Sequence, residues 1–273
     1  MSEAAPMQGL AELKQRMKAA WMAGDFGQVA RINERAGAEF VERLGLKPGT
    51  QVLDVACGTG NLSIPAARTG ADVTGLDIAP NLLEQARKRA QEAGLKILFE
   101  EGDAEELPYA PASFDAVITM FGAMFAPRPE KTVAELLRVC KPEGLIAMAN
   151  WTPEGFVGKM FGVTSRHVPP PPGIPAPVLW GSESVVRERF GAKAKVQTTK
   201  RELVFEIPLS PADTVEFFRK YFGPTQVAFS RLDAAGQEAL RRDLVQHWES
   251  HNEGNSSQTV VRGEYLEVLA RPI

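Results

Sequence analysis

Three carboxylates and a glycine turn carry the chemistry this chain offers. The turn closes the run Val52-Leu53-Asp54-Val55-Ala56-Cys57-Gly58-Thr59-Gly60, a short apolar stretch followed by a helix-like segment from Asn61 to Arg68. Glycines let backbone approach a ligand where a Cβ would collide. Strand, turn and helix N-terminus together make a crevice of nucleotide size. Asp77 closes the next apolar run, Val73-Thr74-Gly75-Leu76-Asp77-Ile78. A carboxylate there can accept both hydroxyls of a ribose through charge-assisted bonds. Asp103 follows in Glu101-Gly102-Asp103-Ala104. Its carboxylate can take an exocyclic adenine amine while the Ala104 amide donates to a ring nitrogen. Last, Phe114 to Met120 runs into Phe121-Gly122-Ala123-Met124-Phe125, an apolar rim in which Phe121, Met124 and Phe125 are candidates for a substrate pocket.

Other groupings carry less. Ser63 stands where a dinucleotide fingerprint has its third glycine, so an NAD oxidoreductase is disfavoured but stays open. Gly155-Phe156-Val157-Gly158-Lys159-Met160 has two residues between its glycines where a phosphate loop has four, and no hydroxyl follows Lys159. His247 and His251 share a helical face at metal-pair spacing, but no third ligand accompanies them and a solvated face is the better account. No metal is expected. Cys57 and Cys140 read as inert core, too far apart in sequence to suggest a disulfide framework. His167, just before a proline run, is the candidate general base if that segment closes on the crevice; a surface loop histidine is the plainer alternative. Trp21 and Phe26 suit either the apolar end of an N-terminal lid or a packing contact.

The elements that must position these residues follow from periodicity. Residues 8–23 and 27–44 read as helices, the first with Leu10, Leu13, Met17 and Trp21 on one face. Strands at 51–56, 71–76, 96–101, 114–120 and 144–150 alternate with helices at 61–69, 80–93 and 129–139. Strands at 195–207 and 259–269 and helices at 211–222 and 233–252 complete the pattern. The fold class is α/β, a doubly wound, mostly parallel seven-stranded sheet with N-terminal helices and an inserted cap. We expect one domain: a helical lid at 1–44, a cofactor core at 45–151, a proline-rich cap at 152–190, and a C-terminal part at 191–273. The cap, with its Pro169 to Pro172 run, is read as irregular and fits a stiff connector or a moving lid equally.

Composition narrows the partners. A net charge of −3 gives no field to gather a polyanion, so nucleic acid is not expected. Apolar content of 44% and charged content of 24% are those of an ordinary soluble protein. Met1 to Leu10 lacks the pattern of a signal peptide, and no apolar window reaches bilayer length. A reducing cytoplasm fits best.

With these motifs in order, the chain resembles the class I S-adenosylmethionine-dependent methyltransferases, in particular the small-molecule group that includes the ubiquinone and menaquinone biosynthesis enzymes. The resemblance spans roughly 45–151, and a last strand near the C-terminus also fits it. It implies S-adenosylmethionine as cofactor, with Asp54, Ala56, Gly58 and Gly60 holding the methionine half. It further implies Asp77 at the ribose, Ile78 stacked on adenine, Asp103 and Ala104 at the adenine edge, and Met120 beneath the sulfonium. Glu143 departs from the pattern, since relatives carry a turn glycine there. Thr119-Met120-Phe121-Gly122 replaces the motif of relatives that methylate amines of DNA or protein amides. A small, hydrophobic acceptor methylated at O, N, C or S is therefore the expected partner, with a module or sensor that binds S-adenosylmethionine without turnover as the alternative reading.

Overall fold

The apolar runs become seven strands of one sheet in the computed structural model, which describes residues 9–273. The strands are β1 (Gln51–Val55), β2 (Asp72–Asp77), β3 (Leu98–Glu101), β4 (Phe114–Met120), β5 (Cys140–Trp151), β6 (Ala194–Ile207) and β7 (Thr259–Pro272). Their spatial order is β3-β2-β1-β4-β5-β7-β6. The first five are mutually parallel, and β7 runs antiparallel between β5 and β6. β1 is central and covered on both faces, which is why Val52, Leu53 and Val55 are all apolar and buried.

The helices are α1 (Leu10–Met22), α2 (Phe26–Ala30), α3 (Glu34–Leu44), α4 (Ser63–Arg68), α5 (Pro80–Glu92), α6 (Pro129–Val139), α7 (Phe156–His167), α8 (Glu183–Phe190), α9 (Pro211–Tyr221), α10 (Gly223–Ser230) and α11 (Ala234–His251). Their ends have local causes. Pro80 and Pro129 open α5 and α6, where a missing N–H costs nothing. Asp233 accepts the Gly236 amide at 2.8 Å to cap α11. Residue 8, expected to open the first helix, lies outside the described residues, as does most of the Met1–Leu10 stretch.

Two expectations need correction. The helix at 27–44 is two helices, because a 3₁₀ turn at Arg31–Asn33 separates α2 from α3. The segment 152–190 is not irregular, since it holds α7, α8 and a 3₁₀ turn at Pro177–Gly181. Gly155, Gly158 and Gly181 in it are packing residues: a Cβ on Gly158 would lie 2.2 Å from the Thr152 carbonyl oxygen. Residues 223–232, to which periodicity assigns no element, also hold a helix, since Gly223-Pro224 opens α10. There a Cβ on Gly223 would meet the Ala20 carbonyl oxygen at 1.8 Å, so α1 can touch this helix only at a glycine. β5 also starts earlier than the turn at Lys141 suggests, with a register shift against β4 and with Glu143 held at φ 59°. That is the left-handed region where a glycine would be at ease.

Trp180, Trp248, Phe40 and Phe190 are the largest wholly buried side chains. One ion network also has its carboxylate buried, while its two arginines stay partly in water. Glu267 of β7 accepts from Arg43 of α3 at 2.7 and 2.9 Å and pairs with Arg201 of β6 at 2.9 Å. Among the described residues no helix is long and apolar enough to cross a membrane.

Candidate functional site

The carboxyl ends of β1, β2 and β4 open on a cleft that encloses about 1120 Å³, part of it continuous with solvent. Such a position, outside the strand ends of a parallel sheet, is where the strand order reverses and a crevice forms. Asp54 closes the floor from β1. Its carboxylate accepts from Ser63 Oγ at 2.5 Å. Burial pushes its pKa up to about 7, against the Ser63 hydrogen bond, with the nearby Asp77 charge adding to the rise.

Asp77 ends β2 and organises the glycine turn. One carboxylate oxygen accepts the Gly58 amide at 2.8 Å and the other the Ala79 amide at 2.9 Å. Burial raises its pKa, and those amides oppose the rise. Each oxygen keeps a lone pair for a ligand hydroxyl. The turn itself is tightly wound. Ala56 at φ 57° and Phe121 at φ 58° both take left-handed backbone, and a Cβ on Gly122 would lie 2.5 Å from the Ala56 carbonyl oxygen. The loops after β1 and β4 therefore touch through glycine backbone, and Phe121 is aimed at Trp151, on which it stacks at 3.6 Å.

Asp103 accepts the Glu105 amide at 2.9 Å and meets Lys14 Nζ at 2.5 Å. The same ammonium lies 2.5 Å from the buried Glu105 carboxylate, and Lys18 pairs with Glu101. α1 is thereby pinned across the cleft, with Lys14, Met17 and Trp21 on the cleft wall. Lys14 and Lys18 accompany Met17 and Trp21 on this side of the helix; the apolar residues are legible from their spacing, whereas the two lysines are not singled out by it.

Of the expected residues, Asp54, Ala56, Gly58, Asp77, Ile78, Asp103, Ala104, Met120, Phe121 and Phe125 line the cleft together. Gly60 does not: at φ 84° it faces Phe99, Ala86 and Ile64 and serves the turn. Met124 is fully buried core, because the 3₁₀ turn at Ala123–Phe125 directs it inward. His167 is also elsewhere. The helical course of α7 carries it to α11, where its Nε2 lies 2.8 Å from Asp243 Oδ2 and holds that carboxyl below its usual range. Cys57 lies under the turn, and burial pushes its thiol pKa well up, so it has no nucleophilic character at neutral pH. His247 engages the Phe156 carbonyl at 3.0 Å and stacks on that ring. Its pKa is lowered, burial being the main cause.

Two residues that sequence reasoning did not single out also face the cleft. Leu82 of α5 lies beside Ile78, and Asn33 stands at the junction with a second, aromatic space of about 550 Å³. Trp21 and Phe26, edge to face at 5.7 Å, belong to both walls.

Comparison with known proteins agrees with this geometry. A family model described as a methyltransferase domain matches residues 52–144. The protein Rv1403c of Mycobacterium tuberculosis, itself uncharacterised, is 38% identical over 245 residues, covering 84% of this chain and 89% of that protein. The demethylmenaquinone methyltransferase of Renibacterium salmoninarum is 42% identical over 116 residues, 42% of this chain and 47% of that enzyme. Among solved structures, a putative methyltransferase from Bacillus halodurans superposes with a TM-score of 0.61 at 20% identity, over 87% of this chain and 99% of that one. Residues 52–144 thus belong to a methyltransferase-domain family, within a chain that has the seven-stranded, Rossmann-like fold of the class I methyltransferases.

Proposed function

We propose that this chain binds S-adenosylmethionine in the cleft and moves its methyl group to a small, apolar acceptor. The observation that carries the reading is that Asp54, Asp77 and Asp103 line one cleft together with Met120, Phe121 and Phe125. Asp54 suits the cofactor ammonium, Asp77 the ribose hydroxyls, and Asp103 with the Ala104 amide the adenine edge. Ile78 and Leu82 offer apolar surface to the base. Gly58 and Ala56 leave their backbone close to the methionine half. Lys14 holds Asp103 already, so the adenine amine has to share or displace that contact.

Bound there, the cofactor supplies a methyl group already activated by its sulfonium. The chain's own part is to align the acceptor with that group and keep water out, which can lower a barrier by several kcal/mol. The apolar rim does the second. With His167 paired to Asp243, the reading assigns the protein no histidine base.

Calorimetric titration with S-adenosylhomocysteine and with NAD tests the proposal. We expect the first to bind and the second not to. Binding of NAD alone overturns the reading. Asp77→Ala should weaken S-adenosylhomocysteine by roughly 10- to 100-fold, the loss of charge-assisted hydroxyl contacts. An unchanged affinity in the folded variant moves the ribose away from Asp77.

A further inference from the structure

Behind the cofactor cleft lies the aromatic chamber of about 550 Å³, and beyond it a third space of about 790 Å³ where α7, α9, α10 and α11 meet. The three form a series. Trp21, Phe26, Phe121 and Phe125 line both the cleft and the chamber. Phe125, Met160, Phe161, Phe218, Phe222 and Trp248 line both the chamber and the third space. That second partition is mostly rings. Phe125 and Phe161 meet edge to face at 6.0 Å, and Phe218 and Trp248 lie 5.4 Å apart. Phe125, Phe161 and Phe218 are only half-buried, with open space on either side. Such rings can change rotamer without any backbone moving, on a timescale far shorter than a typical turnover.

The third space is built as a mouth. Its depth is apolar and buried, with Val215 of α9 and Leu244 and Trp248 of α11. Its rim carries the hydroxyls of Thr164, Ser165 and Thr225, of which Ser165 is exposed and the other two partly so. An apolar interior with a few polar groups at its edge is the usual make-up of a small-molecule pocket. The cleft, in contrast, is covered on its own side. α1 lies across it, pinned by Lys14 on Asp103 and Glu105 and by Lys18 on Glu101. Trp21 of that helix faces the chamber, its ring 5.0 Å from Phe125 and 5.8 Å from Phe222. Ala20 lies so close to Gly223 of α10 that no Cβ fits between them, which leaves α1 no slack on that side. A cofactor filling the cleft completes the closure.

We infer that the acceptor enters by the third space, passes the ring partition and is methylated in the aromatic chamber, while the cofactor comes and goes by the cleft. The inference rests on the methyltransferase reading of that cleft, which shares Phe121 and Phe125 with the chamber. The acceptor is an uncharged, apolar molecule with a flat body, since rings line its route and offer faces to stack on. An ion would lose its water there with no counter-charge, because no ionisable side chain lines either space among the described residues. Two entrances free the two ligands from a fixed order of binding.

Prodan, an uncharged dialkylaminonaphthyl ketone whose emission shifts to the blue in apolar surroundings, probes the route by stopped flow. The affinity for S-adenosylhomocysteine, measured separately, reports an intact fold. We expect saturable binding of prodan, weakened about ten-fold by Val157→Phe, which fills the chamber. Saturating S-adenosylhomocysteine should slow its association by less than about five-fold. Thr225→Trp narrows the mouth and should slow association and dissociation alike, by about five-fold, with affinity little changed. Ser165→Trp, on the α7 side of the rim, makes the same test where the first variant does not fold. Phe161→Ala takes a ring out of the partition and should speed association. None of these four positions lines the cofactor cleft, so S-adenosylhomocysteine should bind every variant as it binds the wild type.

The failures separate. If S-adenosylhomocysteine does not bind the wild-type chain, the cofactor reading falls and takes the inference with it. If it binds but prodan does not saturate, or ignores Val157→Phe, the chamber is not the acceptor site and only the inference falls. If bound S-adenosylhomocysteine slows prodan by about five-fold or more, the acceptor enters through the cleft and the second mouth is overturned. Rim variants that leave both rates unchanged, or alter dissociation alone, overturn it as well.

Discussion

Asp54 is a buried acid whose proton is lost only near neutrality. Its folded pKa of about 7 lies above its ordinary 3.8, so the folded chain holds that proton more tightly than the unfolded one. Between about pH 4 and 7 the folded state therefore binds more protons, and this group's contribution to stability falls as pH rises through that window. A cofactor ammonium reverses the preference, because it favours the ionised carboxylate. Affinity for S-adenosylhomocysteine should thus climb with pH, by up to ~10-fold per unit below about 7, and level off above it. Titrations from pH 5.5 to 8 measure this, and a flat profile would release Asp54 from contact with the ammonium. Asp54, Asp77 and Asp103 are all legible from type and spacing. The second duty of Asp77, holding the Gly58 and Ala79 amides, is not, because a backbone donor leaves no mark in sequence.

At the scale of elements, α1 decides access to the cleft. None of its residues is fully buried, and it is held by Lys14 on Asp103 and Glu105 together with Lys18 on Glu101. Lys14→Ala removes the more buried of these pins. Amide hydrogens of residues 10–22 should then exchange about five-fold faster, while those of β1 and β4 keep their protection. No change in α1 would mean that Met17 and Trp21 hold the helix by packing alone. The strands of the parallel core are legible because buried strands are written as near-continuous apolar runs, interrupted only by Asp54 in Val52–Val55 and by Thr119 in Ala116–Met120. α7 and α10 are hidden by Gly155, Gly158, Gly223 and Pro224, which read as breakers. In the fold Gly158 and Gly223 are points where another segment's carbonyl comes too close for a Cβ. The proline run does mark exposed chain, but only a short part of the segment once assigned to it.

On the scale of the whole molecule, one charge cluster joins the N-terminal helices to the reversed strand. Glu267 bridges Arg43 of α3 and Arg201 of β6 while almost shielded from water. Glu267→Ala removes the buried acceptor of two guanidinium groups that keep part of their surface in water, and should lower the unfolding free energy by ~2 kcal/mol in urea denaturation. A loss below ~1 kcal/mol would mean that water reaches the cluster. The placement of β7 between β5 and β6 is not written in its own residues; it follows from which edge remains once the parallel strands have paired. Phe125, in turn, has a thermodynamic consequence beyond its place in three walls. One ring cannot suit each compartment independently, so whatever fixes its rotamer on one side alters the free energy of filling the other. Linkage makes that influence reciprocal: an acceptor that tightens cofactor binding by some factor is itself tightened by the cofactor by the same factor. Measured alone, each ligand would then understate how strongly the pair is held.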